Sequence, residues 1–297
     1  MVEVATATTA GPPSRETWVQ SDGLKLRVIE WGPPAAIPIV MLHGLRSYGH
    51  TWEPVALPLL PAWRVIALDQ RGRGQSDWDE RRDYYAPAYV RDLTAVVDHL
   101  GLEKFVLLGH SMGGANGIIY ASQRASRVSA LVIEDMGPGA SANSKGSERI
   151  KNELAGTPSS FGGWEEATEF WRKLRPNISE AALQSRVVHS LKQGESGRIV
   201  WRHDADGIAQ ARFAATPEQL VDLWPHVEAL SMPTLLIRGA NSDFLSAETA
   251  AEMCRRNPRI RRADIAAATH YVHDDNLPDF NSALQRFLSE LQGNATR

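Results

Sequence analysis

The sequence has almost no cysteine. Cys254 is the only one in 297 residues, which excludes an internal disulfide and fits a reducing compartment, so the cytoplasm is the expected location. It falls in a helical-looking stretch with no Cys/His cluster around it and reads as packing. The chain also lacks a long hydrophobic run. None approaches the roughly 18 residues a membrane span needs, so no membrane partner is expected. A basic excess is missing too. The formal net charge is −3, which gives no global field for nucleic acid. There is no H-E-x-x-H and no Cys/His pairing at ligand spacing, so neither metal nor cofactor is expected. Gly72-Arg73-Gly74-Gln75-Ser76 lacks the lysine and the following helix of a phosphate loop. The Ala/Thr/Pro-rich residues 1–15 lack the basic start and continuous apolar core of a signal peptide and read as a disordered tail. No internal repeat or low-complexity segment stands out.

What is present is the composition of an ordinary globular protein, 43% hydrophobic and 23% charged. The length suffices for one large domain or for a domain with an inserted subdomain. The most informative stretch is Phe105 to Gly114, FVLLGHSMGG. An apolar run of strand character ends in Gly109-His110-Ser111-Met112-Gly113, and a helical pattern follows from Ala115 to Gln123. G-x-S-x-G between a strand and a helix places the serine on a tight turn that lifts its hydroxyl out of a sheet. Small residues two positions either side are needed because the backbone segments come too close for side chains. The helix then directs its first N–H groups at whatever binds there.

Thr17 to Gln20 and Leu24 to Trp31 alternate apolar and polar residues about Ser21-Asp22-Gly23, which predicts a hairpin. Ile37 to Leu42, Arg64 to Leu68, Phe105 to Leu108 and Val128 to Ile133 are continuous apolar runs, as expected of strands covered on both faces. Trp52 to Leu60 and the amphipathic Pro87 to Leu100 read as helices. The alternation predicts an α/β fold: a mostly parallel eight-stranded sheet with helices on both faces. It stops near Gly137 and resumes near Pro233. Between these points, Ser147 to Leu154, Trp164 to Leu174 and Glu180 to Leu191 read as helices. A segment this long is too big for a loop. The expected organisation is therefore a core of residues 16–136 and 226–297 with a helical cap of residues 137–225. Strand Pro233 to Arg238, helix Ala247 to Arg256, strand Ile260 to Ile265 and a closing helix from Asp279 to Leu291 complete the core.

Ligands of such sheets bind beyond the carboxyl ends of the strands. His43, Asp69, Ser111 and Asp135 each follow directly on a strand. A serine hydroxyl needs a base within hydrogen-bond reach, and that base needs an acid to fix its tautomer. Only His270 and His273 follow the last strand, where a loop can return to the serine. His270 comes sooner and is the expected base. Two acids obey the chain order: Asp135 after the strand that follows the serine, and Asp243 after the next core strand. The residues alone do not separate them. Two preorganised donors are needed for an oxyanion. The N–H of Met112 and the N–H of Leu45, behind His43-Gly44, are the candidates.

Taken together, His43-Gly44, Asp69-Gln70-Arg71-Gly72-Arg73-Gly74-Gln75-Ser76, Gly109-His110-Ser111-Met112-Gly113-Gly114, Leu236-Ile237-Arg238-Gly239 and the late His270 resemble the α/β-hydrolase fold family over nearly the whole chain after Gln20. The stretch Asp135-Met136-Gly137-Pro138 is similar to a subgroup whose acid follows this earlier strand. That subgroup includes small esterases and two amide hydrolases, (acetamidomethylene)succinate hydrolase and N-formylmaleamate deformylase. The resemblance implies Asp135 as the acid, although most of the family uses the position of Asp243. Arg175-Pro176-Asn177-Ile178 is similar to a cap segment of the first amidase, which makes Arg175 a candidate substrate contact.

Trp164, Trp171, Trp201 and Trp224 fall in the expected cap. Large aromatics usually pack a cap onto its core, but Trp164, Trp171 and Trp201 are also candidates for pocket contact. The expected activity is a serine hydrolase cleaving a small carboxylic ester or amide through an acyl-enzyme. Hydrolytic C–C cleavage or lactone opening would use the same groups. A small-ligand receptor with this fold is the reading of a different class. The expected partner is a small-molecule substrate, with the chain acting as a monomer or homodimer.

Overall fold

The computed structural model describes residues 14–140, 144–176, 178–216 and 219–295. The expected tail lies outside the described residues up to residue 13, and Arg15 already opens the first strand. Eight strands form one sheet: β1 (Arg15–Ser21), β2 (Leu24–Trp31), β3 (Ile37–Leu42), β4 (Trp63–Leu68), β5 (Phe105–His110), β6 (Val128–Glu134) and, after a long insert, two more at 234–239 and 260–265. β1 and β2 form the expected hairpin, with Asp22 at φ 50° and Gly23 at φ 83° supplying the left-handed turn that matches strand twist. β2 also runs antiparallel to β4, and all other neighbours in the sheet run parallel.

The apolar runs are continuous because both faces of the sheet are covered. Along β3, Val40 and Leu42 join one core layer, and Ile39 and Met41 the other. Along β5, Phe105 and Leu107 face the first layer, and Val106 and Leu108 the second. α1 (Ala86–His99) and α2 (Met112–Gln123) close the first face, with Leu93, Val96, Val97 and Ile118 fully buried against it. The segment from Trp52 to Leu60 is not one helix. It is a single α turn, Glu53–Ala56, between two 3₁₀ turns, and Pro58 has no N–H to donate one turn back and continue the α helix.

The insert between β6 and the next strand of the large sheet carries α3 (Lys145–Ala155), β7 (Ser160–Phe161), α4 (Trp164–Leu174), α5 (Glu180–Ser190), β8 (Leu191–Gln193), β9 (Ile199–Trp201) and α6 (Ala205–Phe213). It is not purely helical. β7, β9 and β8 make a small antiparallel sheet. The β8–β9 hairpin turns at Gly197 (φ 79°), and two or three residues per strand are too few to show alternation in the sequence. The insert has its own apolar cluster, built on Phe161, Trp171, Leu183 and Trp201. It meets the core along a seam. The Tyr84 hydroxyl donates to Asp204 at 2.8 Å, and Asp204 N–H donates to the carbonyl of Gly72 at 2.9 Å. Further along, the rings of His50 and His189 stack 4.0 Å apart and 7° from parallel. The sheet is completed by β10 (Thr234–Gly239) and β11 (Ile260–Ile265), which flank α7 (Ala247–Arg256), and α8 (Leu277–Ala295) covers the second face. Among the described residues, no helix is long and apolar enough to cross a membrane.

Candidate active site

Ser111 lies between β5 and α2 at φ 52° and ψ −118°, a conformation that L residues rarely adopt. The two glycines that bracket it explain why the turn can exist. A Cβ on Gly109 would sit 2.3 Å from the carbonyl oxygen of Gly113, and one on Gly113 would sit 2.3 Å from that of Leu42. Ser111 is itself buried, with its N–H donating to the carbonyl of Glu134.

His270 is carried back to the serine by the loop after β11. Its Nε2 lies 2.9 Å from Ser111 Oγ, and its Nδ1 lies 2.8 Å from Asp135 Oδ2. With the carboxylate accepting from Nδ1–H, Nε2 is left free to accept the serine proton. Asp135 is fully buried, at φ 48° just beyond β6. Two further donors hold it: Gly239 N–H at 3.1 Å and Ser242 Oγ at 2.6 Å. The His270 loop is held in turn by His110, whose Nε2–H donates to the His270 carbonyl at 2.8 Å. The Phe244 ring covers the His270 imidazole at 4.1 Å.

Asp243 is not at this imidazole. Its carboxylate takes Arg149 in a two-pronged pair, at 2.8 Å from Nε and 2.9 Å from Nη2, and that guanidinium holds it below the usual carboxylate range. His273, the other late histidine, does not reach the serine. Its Nδ1 meets both oxygens of buried Glu134 at 2.8 and 2.9 Å. Burial pushes the His273 pKa down, but the Glu134 carboxylate outweighs it and leaves the value raised.

Leu45 and Met112 both line a cavity with Ser111. Met112 is the first residue of α2, so its N–H has no carbonyl one turn back. The loop carrying Leu45 is fixed by His43. Gln70 N–H donates to its Nε2 at 3.1 Å, which leaves Nδ1–H to donate to the Gly44 carbonyl at 2.8 Å. Burial lowers the His43 pKa to about 3, so the ring is neutral. Gly44 is required because a Cβ there would meet His110 Nδ1 at 2.7 Å. Arg73 ties both parts together. Fully buried, it donates from Nε to the Leu45 carbonyl at 3.0 Å and rests Nη2 against Met112 Sδ at 3.6 Å. In the sequence it stood within the glycine-punctuated stretch Asp69 to Ser76 that carries part of the family resemblance, with no role of its own assigned.

The cavity in front of Leu45, Ser111 and Met112 has a volume of about 180 Å³ and is largely apolar, walled by Tyr89, Ile119, Met136, Ile208 and Leu223. Of the expected pocket contacts, Trp171 and Arg175 line a second, smaller cavity beside Ser111, while Trp164 and Trp201 line neither. Trp201 packs edge-on against Phe161 and Trp171 inside the insert, its Nε1–H donating to the Pro158 carbonyl. Trp164 shares a helical face with Trp171, but as the first residue of α4 it projects past the cluster and is 41% exposed. Among the described residues, no group of three or more His, Cys, Asp or Glu side chains could hold a metal ion.

A sequence profile described as alpha/beta hydrolase fold matches residues 37–201, more than half of the chain. A 3-hydroxybutyrate-oligomer hydrolase of Cupriavidus necator is 31% identical over 81% of this chain and 85% of its own length. An esterase of Mycobacterium tuberculosis is 30% identical over 89% and 86%. Among solved structures, an alpha/beta hydrolase of Novosphingobium aromaticivorans superposes with a TM-score of 0.80 at 31% identity, covering 94% of this chain and 99% of that one. E-2-(acetamidomethylene)succinate hydrolase superposes with a TM-score of 0.83 at 23% identity over 93% and 100%, a likeness of fold.

Proposed function

This chain is a hydrolase that belongs to the α/β-hydrolase fold family, and from that premise we propose a serine hydrolase that cleaves a small carboxylic ester or amide through an acyl-enzyme. The observation that carries the reading is the continuous chain of contacts from Ser111 Oγ through His270 to Asp135. In this reading His270 accepts the serine proton as Oγ attacks the substrate carbonyl. The charge that develops on the carbonyl oxygen is met by the N–H groups of Met112 and Leu45. As the tetrahedral intermediate collapses, His270 hands the proton to the leaving alcohol or amine. Water, deprotonated by the same imidazole, then releases the acid. Asp135 orients the ring and stabilises it while it is charged. The insert acts as the cap, with the apolar cavity beneath it taking the hydrocarbon part of the substrate.

The test is Ser111→Ala. Turnover of 4-nitrophenyl esters should fall by more than about 10⁴-fold, and labelling by a fluorophosphonate should vanish. A fully labelled Ser111→Ala protein would sink the proposal.

A further inference from the structure

Next to Ser111, adjoining the apolar cavity at Leu45 and Ile150, lies a second cavity of about 30 Å³, room for a group of only a few atoms. Its charged lining is of one sign. Arg46, Arg175 and Arg186 all face it, and among the described residues no carboxylate does. The three side chains are only 7%, 11% and 5% exposed. Such charges are costly to bury without counterions. The counterions stand behind the cavity and are shared. The Glu153 carboxylate accepts from Arg46 at 2.8 Å, from Arg175 at 3.1 Å and from Arg149 at 2.7 Å. Asp274 takes Arg186, and Asp243 takes the rest of Arg149. One carboxylate thus serves as the anion for both Arg46 and Arg175.

The donors are not all used. Arg175 Nε and Arg186 Nε are buried and have no hydrogen-bond partner among the described residues. Both Nε atoms are closed off from the cavity, so what an anion there would meet is the charge of the guanidinium groups. The remaining titratable groups at the cavity are His110, His270, Tyr271 and His273. His110 is neutral, pushed down to about 3 by burial, and His273 is paired with Glu134. The Tyr271 ring lies 3.9 Å under the Arg175 guanidinium, and its hydroxyl accepts from the same group.

We infer that this cavity is a subsite for a carboxylate carried by the substrate, a few bonds from the carbonyl that Ser111 attacks, with Arg175, Arg186 and Arg46 as its cationic wall. The substrate class is then an ester or amide with a short acid-bearing half on one side of the scissile bond and an apolar half on the other. This rests on the hydrolase reading above and narrows it.

Two esters of the same alcohol separate the possibilities: the 4-nitrophenyl monoester of glutaric acid, with a free carboxylate, and 4-nitrophenyl pentanoate, its neutral counterpart. kcat/KM should favour the acid ester by at least about tenfold, the worth of one charge-assisted hydrogen bond. Arg175→Met should erase most of that ratio through KM for the acid ester, and Arg175→Lys should restore part of it. A wild-type ratio of one or below, or equal losses on both esters in Arg175→Met, would overturn the subsite. Should neither ester turn over, calorimetry on Ser111→Ala decides independently of catalysis. Glutarate binding that is absent from Arg175→Met supports the subsite, and no glutarate binding to Ser111→Ala refutes it.

Discussion

Single side chains divide the labour sharply. Asp135 and Asp243 looked equivalent along the chain because each follows a parallel strand. What separates them is a backbone fact. Asp135 sits at φ 48°, which turns its carboxylate into the donors of Gly239, Ser242 and His270. Asp243 lies in the loop beyond and closes on Arg149 instead. Asp135→Asn should therefore lower kcat on a 4-nitrophenyl ester by about 10³–10⁴-fold, because an amide stabilises the wrong imidazole tautomer. Asp243→Asn breaks a partly exposed ion pair and should cost less than about tenfold. Steady-state kinetics on the two purified variants checks the ranking, and the reverse order would reassign the acid. His270 was legible from its place after the last strand. Arg46 and Arg186 were not, since their meeting at one cavity depends on how the insert folds back over the strand ends.

At the level of elements, the turn between β5 and α2 is the most constrained piece. An added methyl on Gly113 has nowhere to go, since the atom that it would meet is the main-chain oxygen of Leu42 in the neighbouring strand. Gly113→Ala should cost about 1–3 kcal/mol of stability, read from urea denaturation, and should lower activity further by moving Met112 off its position. Unchanged stability would mean that the turn is looser than these contacts imply. The buried parallel strands were legible because a two-sided burial leaves continuous apolar runs, and α4 and α7 fall where their periodicity places them. The insert's small sheet was hidden for the opposite reason. Its strands are too short to carry a period, and their pairing is fixed by the tertiary contacts of Phe161 and Trp201.

For the molecule as a whole, acidity is the sensitive variable. Burial holds five histidines neutral: His43, His110, His189 and His203 are pushed down to about 3, and His50 to about 4. In the unfolded chain each titrates near 6.5. The folded values lie below the unfolded one, so the stability these groups contribute is complete above about pH 6.5 and drains away as pH falls toward 3–4. His273 has the opposite sign, being raised, so its contribution is complete below about pH 6.5 and is lost as pH climbs through its folded value. One group against five leaves acid loss dominant. The melting temperature should drop by about 10 °C or more between pH 7.5 and pH 5, and a flat profile would contradict these burial effects. The ring pair of His50 and His189 gives that decline an order. Where the insert rests on the sheet, two imidazoles lie flat on one another, and each lowers the other's readiness to take a proton. Arg27 and Arg202 already add charge of the same sign there, offset only in part by Glu16 beside His50. Mild acid should therefore pry the roof from the walls before the walls fail: turnover of a 4-nitrophenyl ester should vanish at a higher pH than the far-UV circular dichroism signal and return on neutralisation, and coincident losses would contradict it.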